Sequence, residues 1–259
     1  MAQYAPQKHN FNTAVALEKW YSKLLWLNFF LTLLPLFQKY WQMTNVINNV
    51  IVSLNTILIT GMCIIGLLQK HGLNKAENIR RDALLDDAFG TKLGDENAIG
   101  YYDNSEIESG YKKLLANVYE NSLISYNIVS KMRNRMIVPG LILGITIIPC
   151  IMIGFLNVGF SVPLLQLFMS GVFVEKMYFL STYMTNVKWV MDRAKEISEN
   201  LSQGRRINEK TLVKILQLLL RYETNISRNQ IILNEKIYNQ MNPQLTETWS
   251  NLKKRYSLN

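Results

Sequence analysis

Four apolar stretches set as two close pairs, at 20–37, 46–68, 136–156 and 160–183, constrain this chain more than any other feature. Each approaches the ~20 residues that a helix rising about 1.5 Å per residue needs to cross a hydrocarbon core. Backbone that enters lipid must satisfy its own hydrogen bonds, and apolar runs of this length do so as helices. The first pair is joined only by residues 38–45 and the second only by the turn around Asn157, Val158 and Gly159, so each pair is predicted to form a helical hairpin. The expected fold is an all-α membrane protein with four transmembrane helices as two hairpins, a cytoplasmic helical hairpin inserted between them, and a helical C-terminal tail. Its segments are 1–68, the N-terminal part and first hairpin; 69–135, the insert; 136–186, the second hairpin; and 187–259, the basic tail.

Orientation follows from lysine and arginine, which are retained on the cytoplasmic side of span ends. Lys8, Lys19 and Lys23 precede or open the first stretch, Lys70, Lys131, Arg133 and Arg135 bound the insert, and Lys188, Arg193 and Lys195 open the tail. The two hairpin turns hold only Lys39. Both turns are therefore expected outside, with the N-terminus, the insert and the C-terminus in the cytoplasm of a multi-pass bacterial inner-membrane protein. Residues 1–11 are polar, and Trp20-Tyr21 and Tyr40-Trp41 flank the first stretch as interfacial aromatics do, so an anchored span is expected rather than a cleaved signal peptide. The insert carries ten basic and ten acidic residues and the tail thirteen and seven, so most of the net charge of +9 resides in the tail, beside an anionic leaflet. Cys63 and Cys150 both fall inside expected spans and suggest neither a disulfide framework nor a zinc site.

At about 100° per residue, Asn45, Asn49, Ser53, Thr56, Thr60 and Cys63 share an arc of roughly 80° on the second stretch, with Asn48 and Asn55 beside it. Such a stripe faces either neighbouring helices, as interhelical hydrogen-bonding glue, or water, as the lining of a pore formed on oligomerisation. The fourth stretch adds Glu175 and Lys176. Adjacent positions diverge by ~100°, so these two do not simply neutralise each other. Either Lys176 snorkels to the interface while Glu175 caps a helix contact, or Glu175 is a gate or selectivity element.

The insert continues the second stretch as a helix with Ala76, Ile79, Ala83, Leu84 and Phe89 available for packing and Gly90 placed to stop it. A loop follows over 91–105, and a second long helix over 107–132 feeds the third stretch. The wording Glu77-Asn-Ile-Arg-Arg-Asp-Ala-Leu-Leu-Asp-Asp-Ala-Phe-Gly-Thr-Lys-Leu, then Tyr101-Tyr-Asp-Asn, then Lys113-Leu-Leu-Ala-Asn-Val-Tyr-Glu-Asn-Ser-Leu-Ile-Ser, resembles the SMODS-associated four-transmembrane effector family. The resemblance covers the layout of essentially the whole chain and the text of the insert. It implies a pore-forming effector of cyclic-oligonucleotide antiphage signalling that permeabilises the inner membrane of the infected cell. It further implies a homo-oligomer and an operon partner that is a nucleotidyltransferase or cyclic-nucleotide polymerase. Met241-Asn-Pro-Gln-Leu-Thr-Glu-Thr-Trp in the tail is only loosely similar.

A cyclic oligonucleotide, here a regulatory ligand rather than a cofactor, presents phosphates that need cations and bases that need rings or amides. Arg80, Arg81, Lys112 and Lys113 supply cations, Tyr101, Tyr102 and Tyr111 rings, and Asn104, Asn117 and Asn121 amides, all within the insert. Alternatively Arg80 and Arg81 pair with Asp82, Asp86, Asp87 or Glu120 across the hairpin, and the tyrosines pack between helices. No DNA or RNA polymer is expected as a partner. In the tail, Asn208 is placed to cap a helix with an apolar face of Leu212, Ile215, Leu216, Leu219 and Leu220, suited to partner-helix packing or subunit assembly. Ile226, Ile232, Leu233 and Ile237 extend that packing, while Arg205-Arg206 and Lys253-Lys254-Arg255 are either solvated or in contact with lipid phosphates.

Enzymatic chemistry is not expected. His9 and His71 are the only histidines, and the chain has no Gly-x-Ser-x-Gly, His-Glu-x-x-His or phosphate-loop motif. Asp86 and Asp87 are adjacent rather than on one helical face and make a poor metal clamp. A constitutive channel or transporter subunit remains the main alternative to a nucleotide-controlled effector, with a membrane-bound enzyme the remote one.

Overall fold

The computed structural model describes residues 5–34, 44–95, 104–154 and 174–258. These form six helices and no strand: α1 (Lys8–Leu33), α2 (Asn45–Phe89), α3 (Tyr111–Gly154), α4 (Val174–Ser202), α5 (Glu209–Asn229) and α6 (Glu235–Arg255). The protein is all-α in its described residues. Among them one helix, α2, is long and apolar enough to cross a membrane, with a mean hydropathy of 2.2 over its most apolar window. Residues 35–37 of the first expected span, 157–173 across the last turn and most of the last span, and the turn residues 38–43 lie outside the described residues.

Two compact units divide the chain, and α2 and α3 each contribute residues to both. One comprises Asn10–Leu73 and Arg135–Tyr178. Among its described residues Ala14, Leu25, Ile51, Met62 and Leu73 are buried, and the Tyr21 ring lies 4.0 Å from where a Cβ on Gly66 would stand. Its outside is apolar. Of the large hydrophobic side chains exposed among the described residues, all but Leu93, Ile207, Val213, Leu216 and Leu220 belong to this unit. They include Trp20, Trp26 and Phe30 on α1, Val50, Ile57 and Leu67 on α2, and Val138, Leu141 and Ile145 on α3. Apolar residues turned outward on three helices are unfavourable in water, whereas lipid solvates them.

The other unit comprises the residues up to His9, Asn74–Asn134 and Phe179–Asn259, so insert and tail share one core. On α4, Leu180, Tyr183, Val187, Val190, Ala194 and Ile197 are buried at alternating spacings of three and four, the repeat of a helix stripe facing other helices. Leu84 of α2, Leu114, Val118 and Ile128 of α3, Ile215 and Leu218 of α5, and Ile237 and Trp249 of α6 complete it. Each fully buried leucine or isoleucine contributes about 1.5–3 kcal/mol.

Local chemistry sets the helix ends. Gly90 takes φ +66 and its N–H bonds to Asp86 O at 2.8 Å, ending α2 in the left-handed conformation that glycine adopts without strain. The next helix starts at Tyr111, four residues later than the expected 107. Ile107 N–H is engaged by Asn104 O at 3.1 Å, and Gly110 at φ +142 turns its N–H onto Ala88 O at 2.7 Å. Asn208 caps α5 by accepting from Thr211 N–H at 2.9 Å. Gln230 at φ +47 ends α5, so Ile232 and Leu233 fall in the link before α6 and do not continue the helix.

Candidate functional site

Of the insert cations, Arg80, Arg81 and Lys113 are held in two largely buried polar networks. In the first, Arg80 on α2 and Glu223 on α5 are both 7% exposed, and Arg80 Nη2 lies 2.5 Å from Glu223 Oε2. Arg81 donates to the same oxygen from Nε at 3.3 Å and to Ser227 Oγ from Nη2 at 3.0 Å. The Arg80 guanidinium stands 5.9 Å from the Tyr222 ring centroid, and Tyr222 Oη lies 3.2 Å from Ser125 Oγ. Glu77 is buried beside this group. Desolvation raises its pKa above the ordinary 4.5, the negative Glu223 adds to the rise, and Arg80 and Arg81 oppose it.

The second network links both ends of the insert loop to the tail. Lys113 Nζ pairs with Asp87 Oδ1 at 3.1 Å, and Asn117 Nδ2 donates to Asp87 Oδ2 at 2.7 Å. Asn104, fully buried, donates to Asn117 Oδ1 at 2.8 Å and to Glu120 Oε2 at 2.7 Å, and its own oxygen accepts from Trp249 Nε1 at 3.0 Å. The Trp249 ring meets Tyr119 edge-on at 5.4 Å. Lys253 reaches Glu106 at 2.5 Å.

Asp86 does different work. It accepts from Thr91 Oγ1 and Leu93 N–H at 2.7 Å each and from Gly94 N–H at 2.9 Å, folding the start of the loop back onto α2. Desolvation pushes its pKa up, but the three donors outweigh this and hold it below the ordinary 3.8.

The structure thus brings Arg80 with Arg81, and Lys113 with Asn104 and Asn117. Lys112 and Asn121 are half-buried on α3, and Tyr101 and Tyr102 lie outside the described residues. Glu223 is a carboxylate that takes both Arg80 and Arg81. Sequence reasoning passed over it, although an acidic residue four positions beyond Leu219 on the apolar face of α5 was a readable signal. Trp249, Glu106 and Lys253 had no such mark.

On α2 the polar stripe is exposed at Asn45, Asn49, Ser53, Thr56 and Thr60. Its hydroxyls bond their own helix: Ser53 to Asn49 O at 2.9 Å, Thr56 to Val52 O at 3.0 Å and Thr60 to Thr56 O at 2.9 Å. This self-satisfaction lets Ser and Thr stand in a low-dielectric setting while their oxygens stay able to accept from water or another chain. Lys176 pairs with Glu18 of α1 at 2.8 Å with both side chains over a third exposed, and Glu175 is exposed.

Compared with family models, with curated proteins and with solved structures, the chain matches none of them.

Proposed function

We propose that this protein is a four-span inner-membrane effector of bacterial antiphage defence. In this reading it assembles as a homo-oligomer around the polar stripe of α2 and permeabilises the membrane under the control of a cyclic oligonucleotide. The observation that carries the membrane part is the concentration of exposed large apolar side chains on α1, α2 and α3 in one unit, with an exposed amide and hydroxyl stripe on α2 among them. Nucleotide control rests on the resemblance of the insert and on its cation chemistry. Arg80, Arg81 and Lys113 are neutralised by Glu223 and Asp87, so ligand phosphates would have to exchange for those carboxylates. Such an exchange favours a state in which α5 has parted from α2, and the ligand shifts the pore by as much as it prefers that state.

The test is dye release and ion flux from vesicles reconstituted with the full chain, with and without a panel of cyclic di- and trinucleotides. Nucleotide-dependent flux that falls on Asn49→Leu or Thr56→Leu at equal protein insertion supports the reading. Flux indifferent to every nucleotide would make the protein a constitutive channel or transporter subunit. No flux, together with stripe cysteines that never react with aqueous thiol reagents, would make the stripe bundle glue.

A further inference from the structure

Helix α5 buries one face and presents two more. Ile215, Leu218, Tyr222 and Ile226 enter the core, whereas Val213 and Leu220 are 63% and 67% exposed and Leu216 lies beside them. At about 100° per residue, Leu216, Leu220 and Val213 form one narrow apolar stripe. Lys210, Lys214, Arg221 and Arg228 form a second stripe roughly 60–100° around from Val213, and all four are exposed. The exposed acid on the helix is Glu209 alone, because Glu223 is buried. Between the stripes runs an open groove of about 560 Å³ whose lining includes Asn186, Val213, Leu216, Leu220, Arg221 and Arg228. Arg221 is fixed there. Its guanidinium stacks 4.0 Å above the Trp189 ring and donates to Asn186 Oδ1 at 3.2 Å.

We infer that this face of α5 lies on an anionic lipid surface, with Val213, Leu216 and Leu220 entering the headgroup–acyl boundary and Lys210, Lys214, Arg221 and Arg228 contacting lipid phosphates. An apolar stripe alone does not choose its occupant; the cations do. A second copy docked through the same face would be related by a two-fold axis and would set the basic stripe against itself, with only Glu209 to offset it. An anionic leaflet offers phosphates to the cations and a boundary about 5–10 Å deep to the leucines, which is how amphipathic interfacial helices bind. The chain also contains α2, a helix long and apolar enough to span a bilayer, and with α2 inserted as in the proposed function the face is tethered to a membrane and needs little intrinsic affinity. Basic segments near an anionic surface contribute about 1 kcal/mol per Lys or Arg. The inference is independent of pore formation and of nucleotide control.

The experiment places a nitroxide at Leu220→Cys, and separately at Val213→Cys, in the full chain with Cys63 and Cys150 changed to Ser. The protein is reconstituted in vesicles of phosphatidylcholine with or without phosphatidylglycerol, and collision of the label with oxygen and with an aqueous nickel chelate is measured. In the anionic vesicles both labels should lose relaxation by the nickel chelate and gain it from oxygen. In pure phosphatidylcholine, and at ~1 M salt where the screening length falls to about 3 Å, they should remain open to the chelate. Lys210→Glu with Lys214→Glu should abolish the shielding at unchanged thermal stability. Labels open to the chelate in anionic vesicles would overturn the inference. So would shielding that persists in detergent together with dipolar coupling between labels, which would assign the face to a second copy.

Discussion

Arg80 and Glu223 are 143 positions apart, yet a nitrogen of one lies 2.5 Å from an oxygen of the other with both side chains about nine-tenths buried. The pair joins α2 of the insert to α5 of the tail, and Arg81 draws on the same carboxylate. One acid thus serves two guanidiniums, and Glu77 beside them adds a second carboxyl to the group. A buried pair of this kind contributes little net stability over an apolar replacement but penalises any other register of the two helices.

Glu223→Gln removes the carboxylate that two guanidiniums share, one of them buried, and should destabilise the unit built from insert and tail by about 3–5 kcal/mol. The double variant Arg80→Met with Glu223→Leu should recover most of the loss, since Arg81 is exposed enough to be solvated. Denaturant unfolding of the full chain in detergent, followed by tryptophan fluorescence, reads both. A single variant as stable as wild type would show that the pair contributes nothing.

If ligand phosphates exchange for carboxylates at this site, Arg80→Ala, Arg81→Ala and Lys113→Ala should each abolish binding of the active cyclic oligonucleotide at unchanged membrane abundance. Added salt should weaken wild-type binding. Loss of toxicity in these variants means that the ligand opens the pore, and gain means that it holds it shut. Unchanged binding in all three moves the receptor site to the basic tail or to another protein.

Two carboxyl groups should answer pH with opposite sign. Asp86 has a folded pKa below its ordinary 3.8, so its stabilisation is present above that value and is lost as pH falls through the folded pKa. Glu77 has a folded pKa above 4.5, so the preference of the fold for it is full below 4.5 and fades as pH rises through the folded value. At pH 7, Asp86→Asn should therefore destabilise by about 1–3 kcal/mol and Glu77→Gln should be neutral or stabilising. The Asp86→Asn deficit should shrink as the unfolding measurements move to acid. Equal effects of the two variants at neutral pH would contradict the assignments.

Trp249→Phe keeps most of the ring volume but removes the donor to Asn104, a fully buried amide. The unmet oxygen should cost about 1–3 kcal/mol, and Trp249→Ala, which also empties a core position, about 3–5 kcal/mol. Chemical denaturation of the two variants beside wild type checks the order. A phenylalanine variant of wild-type stability would mean that water replaces the indole.

For the proposed topology, a reporter fused at residue 259 should read cytoplasmic, and one inserted at 158 external. A periplasmic C-terminus would reverse the arrangement drawn from the Lys and Arg distribution.

The parts of this structure readable from the sequence are those set by neighbours along the chain. The charge-free, largely apolar run 46–68 makes α2 a helix suited to lipid, Gly90 supplies the left-handed stop, and Asn208 meets the free N–H of Thr211 three residues on. The periodicity also exposed the Asn45-to-Thr60 stripe, because a helical face is fixed by spacing alone. Tertiary packing decided the rest. Which carboxylate meets Arg80 depends on α5 folding back beside α2, and Asp86, an equally plausible partner in one dimension, is taken by the loop amides of Leu93 and Gly94. Asn104 and Trp249 meet for the same reason: a buried amide must find donors and acceptors wherever the core brings them, and local sequence does not encode a contact 145 residues away.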